Sequence, residues 1–146
     1  KLMIFYVTGK CKNKDVVEQY VINCLKYLNL HRMTSKSVII NFKNKVEGDA
    51  QGYCFAIEKD AEVTISKTWA GRKLTFMEQM QTLAHELVHV KQYFRKELSY
   101  GETGDFCWKK RNAGGYKYEN QPWEKEAFKM EKEIFVECFP FHMEIN

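Results

Sequence analysis

The sequence predicts one α+β domain covering residues 1–146. Three observations lead there: β-rich runs cluster in the first half, helical periodicity recurs in three segments, and no linker, repeat or low-complexity tract divides the chain. "LMIFYV" (Leu2–Val7) is apolar, carries β-branched and aromatic residues and stops at "TGK", as a buried strand ending in a turn would. In "DVVEQYVINCLKYLNL", Val17, Tyr20, Val21, Cys24, Leu25 and Leu28 recur at three- and four-residue spacing. That predicts an amphipathic helix with Asp15 near its start. His31 is read as its end, where a partly positive imidazole suits the helix dipole.

"SVIINFK" (Ser37–Lys43) reads as a second strand and "KVEGDAQG" as a turn-rich connection. "YCFAIE" (Tyr53–Glu58) and "EVTISKT" (Glu62–Thr68) each alternate and are joined by "KDA", which predicts a hairpin that "AGRK" brings to an end. Thr75 with Glu78 three residues on forms a capping box, and Phe76, Met80, Leu83, Leu87 and Val90 continue it as the apolar stripe of a second helix. From Ser99 to Gln121 the composition shifts to Gly, Tyr, Asn and Lys, which reads as a long irregular loop. Loops of that length inside a domain are usually functional. Pro122 opens a third helix at the position where a missing N–H costs nothing, with Trp123, Ala127, Met130 and Ile134 on one face. The order is βαβββα-loop-α.

Bulk properties narrow the function classes. Hydrophobic content of 45% with 14% aromatic residues fits a folded globular protein. A net charge of +4 falls short of the dense basic stripe of a nucleic-acid binder, so nucleic acid is not the expected partner. Cys11, Cys24, Cys54, Cys107 and Cys138 are scattered, with no Cys-x-x-Cys pair, which argues against a thiolate zinc knuckle or a thioredoxin-type motif. A cytoplasmic, reducing location with free thiols is the simplest expectation. Leu2–Val7 is too short for a signal core or a bilayer span, so no membrane association is expected.

The chemistry concentrates in "TLAHELVHVKQYF", Thr82–Phe94. Residues four apart on a helix stack on one face, so His85 and His89 can aim their imidazoles at a common point, as a tetrahedral zinc requires. Glu86 lies about 100° around the helix from His85. It is poorly placed as a third ligand alongside both histidines, yet it can reach a water in the fourth position and act as its base. The bland alternative is an amphipathic helix with polar residues on its wet side. Small Ala84 and apolar Leu87, Val88 and Val90 around the motif count against it, because surface histidines more often stand among charged residues. A catalytic zinc also needs a third protein ligand. The metzincin extension would need glycine and histidine where Gln92 and Arg95 stand, leaving Asp105, Glu119, Glu124, Glu126 and His142 as candidates.

"HELVHVKQYF" followed by "QPWEKEAF" resembles the gluzincin branch of zinc metallopeptidases, and small bacterial and phage metallopeptidases carry a similar "PWE-x-EA" segment. The likeness spans Thr75 to Glu137. It implies His85 and His89 as zinc ligands, Glu86 as general base, and Glu124 as third ligand because Ala127 stands three residues after it. Glu126 remains the alternative, since the acidic residue that often follows the alanine is here Phe128, and the carboxylate that would orient a ligand histidine is missing from that spot. The resemblance further implies a zincin-like architecture, with a small sheet packed on the motif helix and a C-terminal helix carrying the third ligand. The edge strand of that sheet, from Tyr53–Glu58 or Glu62–Thr68, would receive a peptide as an added strand.

For the oxyanion of such a reaction Tyr93, Arg111, Tyr116 and Tyr118 are candidate donors, although packing is the commoner role of a tyrosine. Trp108 and Trp123 read as core or loop anchors, and His142 as part of a surface tail. The expected activity is therefore zinc-dependent hydrolysis of a peptide or protein substrate by a monomer. Two other readings compete: a DNA-associated protease using Lys109, Lys110 and Arg111, and a zinc-stabilised binding or regulatory module with no turnover.

Overall fold

The computed structural model describes every residue from Lys1 to Asn146. Two helices cover one face of a four-stranded mixed sheet, and a third packs against those helices. Strand β1 (Ile4–Thr8) leads into α1 (Lys14–Tyr27), which returns the chain to β2 (Ser37–Lys43), parallel to β1. A hairpin of β3 (Gly52–Ile57) and β4 (Asp60–Ser66) follows, and the sheet order is β1-β2-β4-β3. Because β4 inserts parallel to β2, β3 is pushed to the edge. Of the two strands that were candidates for the edge, only the first occupies it.

Alternation decides what each strand buries. Val38, Ile40 and Phe42 of β2 and Ala61, Val63 and Ile65 of β4 point into a core shared with Val17, Tyr20, Val21, Cys24 and Leu25 of α1. Helix α2 (Phe76–Phe94) adds Met80, Leu83, Leu87 and Val90, and α3 (Pro122–Cys138) adds Ala127 and Ile134. The buried Tyr20 hydroxyl donates to the Met80 carbonyl at 3.0 Å, tying α1 to α2. The capping box at the start of α2 is present in both halves. Thr75 Oγ1 accepts from the Glu78 N–H at 3.1 Å, and Glu78 Oε1 accepts from the Thr75 N–H at 2.9 Å.

Four local expectations need correction. Strand β1 is not buried but forms an edge of the sheet, with Ile4 and Tyr6 exposed. Helix α1 stops at Tyr27, and Asn29 adopts a left-handed φ of 58°, so His31 lies in the following turn rather than on the helix end. "AGRK" does not end the strands. Ala70 and Gly71, both at positive φ, form the two-residue turn of a small hairpin, β5 (Thr68–Trp69) with β6 (Arg72–Lys73). The segment 99–121 is also more ordered than a loop. It contributes to a three-stranded sheet of β7 (Leu98–Tyr100), β8 (Phe106–Trp108) and β9 (Arg111–Asn112), then a 3-10 turn at Tyr118–Asn120. This sheet has its own small core of Leu98, Ala113 and Trp123. No helix is long and apolar enough to cross a membrane, and all five cysteines are free.

Candidate metal centre

Helix α2 crosses behind β3 and against α3, and its buried face carries the motif. The start of β3 approaches α2 closely because residue 52 is glycine. A Cβ there would stand 2.7 Å from the Thr64 carbonyl oxygen and 2.9 Å from Thr82 Cγ2, so any side chain would push the strand off the helix. Between β3, α2, α3 and the β7–β9 sheet lies a cleft of about 780 Å³. His85, Glu86, His89 and Glu124 line it.

One turn of helix separates His85 from His89, and their rings meet edge to face with centroids 5.0 Å apart. Their Nε2 atoms converge on Glu124, which α3 brings in from the side. Glu124 Oε1 lies 2.9 Å from His85 Nε2, and Oε2 lies 3.1 Å from His89 Nε2. One ligand atom from each of the three residues falls within 4.8 Å of the others, a grouping that could hold a metal ion.

The other sequence candidates for third ligand go elsewhere. Asp105 turns into its own loop, within 3.5 Å of Asn112 Nδ2. Glu119 is exposed in the 3-10 turn, and His142 is exposed in the C-terminal tail. Glu126, the alternative to Glu124, points one step away from the cluster. Its Oε1 accepts from Gln92 Nε2 at 2.9 Å and from Lys91 Nζ at 3.2 Å.

That arrangement fixes His89. Gln92 is fully buried, and its amide nitrogen donates both to Glu126 and to the Trp123 carbonyl at 3.0 Å. Both partners can only accept, so the amide oxygen must face His89 Nδ1, 2.7 Å away. His89 therefore carries a proton on Nδ1 and directs Nε2 at Glu124. His85 is held the same way by a different group. Its Nδ1 lies 3.0 Å from Glu131 Oε1, while Glu131 Oε2 accepts from Gln81 Nε2 at 2.8 Å. Phe128, standing where the resemblance leads one to expect an acid, instead packs edge-on against the His85 ring at 4.5 Å.

The donor set fits a divalent cation on this chemistry. Two imidazole lone pairs and a carboxylate converge with no donor among them, unless protons fill the gap. Without a cation, protons do. Burial works to depress the His85 imidazole, but the hydrogen bonds of Glu124 and Glu131 outweigh it and raise its pKa to about 9. Burial likewise opposes ionisation of Glu124, but the two imidazoles override it and bring the carboxyl down to about 2. Burial raises Glu86 to about 7, with His89 and His85 pulling the other way. Glu86 is only 6% exposed and stays outside the hydrogen bonds that tie the ligand cluster together.

Of the candidate oxyanion donors, Arg111 and Tyr116 do not line the cleft, whereas Tyr93 and Tyr118 do. The Tyr93 hydroxyl is engaged with that of Tyr100 at 3.1 Å, and the Tyr118 hydroxyl donates to Glu124 Oε1 at 3.3 Å.

Gln92 and Glu131 were not singled out from the sequence. The signal for each was its spacing, Gln92 one turn past His89 and Glu131 two turns past Glu124 on the same helix face. Such outer partners typically carry a 10–100-fold share of metal affinity. Replacing Glu131 by Leu, or Gln92 by Met, is expected to weaken metal binding by about that factor in competition with a chelating indicator. Glu131→Gln should recover most of the loss, because an amide oxygen still accepts from His85 Nδ1. Equal losses in the Leu and Gln variants would refute an orienting role.

Comparison with protein-family models, with curated proteins and with solved structures finds no match.

Proposed function

We propose that this chain is a zinc-dependent peptidase of gluzincin type. The observation that carries the reading is the convergence of His85 Nε2, His89 Nε2 and Glu124 in a cleft that Glu86 also borders. Two imidazoles and one carboxylate match the three protein ligands of a catalytic zinc site, which leaves the fourth position to water or substrate. His85, His89 and Glu124 would hold the zinc ion, which would supply a Lewis acid and lower the pKa of a bound water toward about 7.

The chain's own residues do the rest. Glu86, outside the ligand set, accepts the proton of the attacking water and passes it to the amine as the C–N bond breaks. Glu131 and the Gln92–Glu126 pair hold the two imidazoles in the orientation that keeps both Nε2 lone pairs directed at the site. Strand β3 lies antiparallel to β4 with its outer edge unpaired, and Gly52, Tyr53 and Cys54 border the cleft. A peptide laid along that edge as a further strand is positioned by its backbone, which agrees with a zincin-like reading of the α+β fold.

The test is hydrolysis of a denatured, fluorescently labelled protein by the zinc-loaded chain. New N-termini should appear, vanish on chelation and return when zinc is restored. Retention of metal without cleavage of any peptide in a broad mixture would instead favour a non-catalytic, zinc-stabilised module.

A further inference from the structure

From the shape of the groove beyond the metal ligands we infer that the substrate carries a bulky apolar side chain two or three residues before the bond that is cut. This rests on the peptidase reading and adds a substrate class to it. The cleft does not end at the ligand cluster. A second cavity of about 390 Å³ follows it along the same strand edge. Tyr93, Leu98 and Tyr100 border both spaces, so the two form one groove with β3 as its opposite wall.

The strand register sets the spacing. Tyr53, Phe55 and Ile57 of β3 turn to the uncovered face of the sheet, while Gly52, Cys54 and Ala56 turn toward α2. Cys54 borders the first space together with His85, Glu86 and His89, whereas Phe55, Ala56 and Ile57 border the second, and of these three Ala56 alone faces the α2 side, where Tyr93 and Leu98 lie. A strand added to this edge continues the alternation, so the residue level with Ala56 points into the second cavity. It lies two residues, about 7 Å, from the residue level with Cys54. Antiparallel pairing is the more stable ladder, and β3 runs from Gly52 beside the ligands toward Ile57. The part of the substrate that precedes the scissile bond therefore lies over the second cavity.

The lining sets the chemistry. Tyr93 and Tyr100 stack with centroids 6.0 Å apart and an interplanar angle of 29°. Their hydroxyls share one hydrogen bond at 3.1 Å, which leaves the ring surfaces to the groove. Leu98 is buried beneath them, and small Ala56 leaves room opposite. Glu58 is the one charged residue on this lining. Ser99 is the other polar side chain of the lining and, like Glu58, is exposed, so an aromatic or large aliphatic side chain gains more by burial against the rings and Leu98 than a small polar one does.

Peptidyl hydroxamates test this without requiring turnover, because the hydroxamate anchors on zinc and stands in for the scissile carbonyl. The probes are an all-glycine tetrapeptide hydroxamate and versions with Phe or Ser at the second or third residue back from the anchor. At one of these positions Phe should bind the zinc-loaded protein about tenfold tighter than Ser. The preference should shrink below about threefold in Tyr100→Ala and survive in Tyr100→Phe, which keeps the ring. Equal affinities for Phe and Ser at both positions overturn the inference, as does a preference unchanged in Tyr100→Ala or lost equally in Tyr100→Phe. A preference of the same size in mercaptoacetyl-peptides, whose residues follow the anchor instead, overturns the strand direction. If the all-glycine hydroxamate binds no better than the corresponding amide, the metal-site reading itself fails, which is a different result.

Discussion

Glu86→Gln is expected to reduce peptide hydrolysis to background, a loss of about 10²–10⁴-fold or more, while zinc content stays that of the unmutated protein. The separation follows from where Glu86 sits. It borders the cleft but is no member of the group formed by His85, His89 and Glu124, so an isosteric amide removes a proton acceptor and no ligand. Its acidity makes a further point. Burial holds the carboxyl up at about 7 in the metal-free protein, against the pull of His89 and His85. A dication beside it favours the ionised form, so the acid limb of the pH–rate profile should fall below pH 7. Activity should rise with pH through that limb as Glu86 ionises. Parallel loss of zinc and activity in that variant would mean that Glu86 is a ligand or a structural support, and the assignment of roles would be wrong.

The parts that sequence made legible are the ones fixed by local chemistry. Thr75 and Glu78 announce the start of α2 because a capping box needs nothing beyond four consecutive residues. The span of β2 and the pairing of β3 with β4 follow from alternation and a short turn. His85 and His89 point together because helix geometry requires it. What escaped depends on long-range placement or on rare backbone shapes. Nothing local says that β4 rather than β3 lies inside the sheet, because that is settled by its parallel pairing with β2. The sheet from β7 to β9 was hidden because its two-residue turn is built from Lys109 and Lys110, at φ of 51° and 71°. Hairpins of that geometry normally announce themselves with Asn-Gly or Asp-Gly. Glu131 was hidden for another reason. The resemblance points to the residue after Ala127, while the carboxylate that reaches His85 sits three residues beyond Phe128, one turn further along α3.

The choice between Glu124 and Glu126 yields the second large effect. Glu124→Ala should cost more metal affinity than the 10–100-fold typical of an outer partner, leaving two imidazoles and no anionic ligand. Glu126→Ala should cost only about that outer-partner factor, because Glu126 acts on His89 through Gln92 and never faces the cluster. The metal-free protein supplies a second check on the same residue. With Glu124 present, His85 keeps its proton up to about pH 9, so a metal must displace that proton at neutral pH. Affinity should therefore weaken by about one decade per pH unit as pH falls below 9, and more steeply at lower pH, where His89, also raised by Glu124 against its burial, holds a proton as well. Removing Glu124 removes the strongest hydrogen bond that raises His85 against its burial, so its imidazole should titrate lower and the pH dependence of the residual affinity should flatten. Metal titrations at several pH values, run on both alanine variants, read the two effects together. Comparable losses in the two, or an unchanged pH slope in Glu124→Ala, would show that the carboxylate between the two Nε2 atoms is an ion-pair partner in a polar helix contact and not the third ligand.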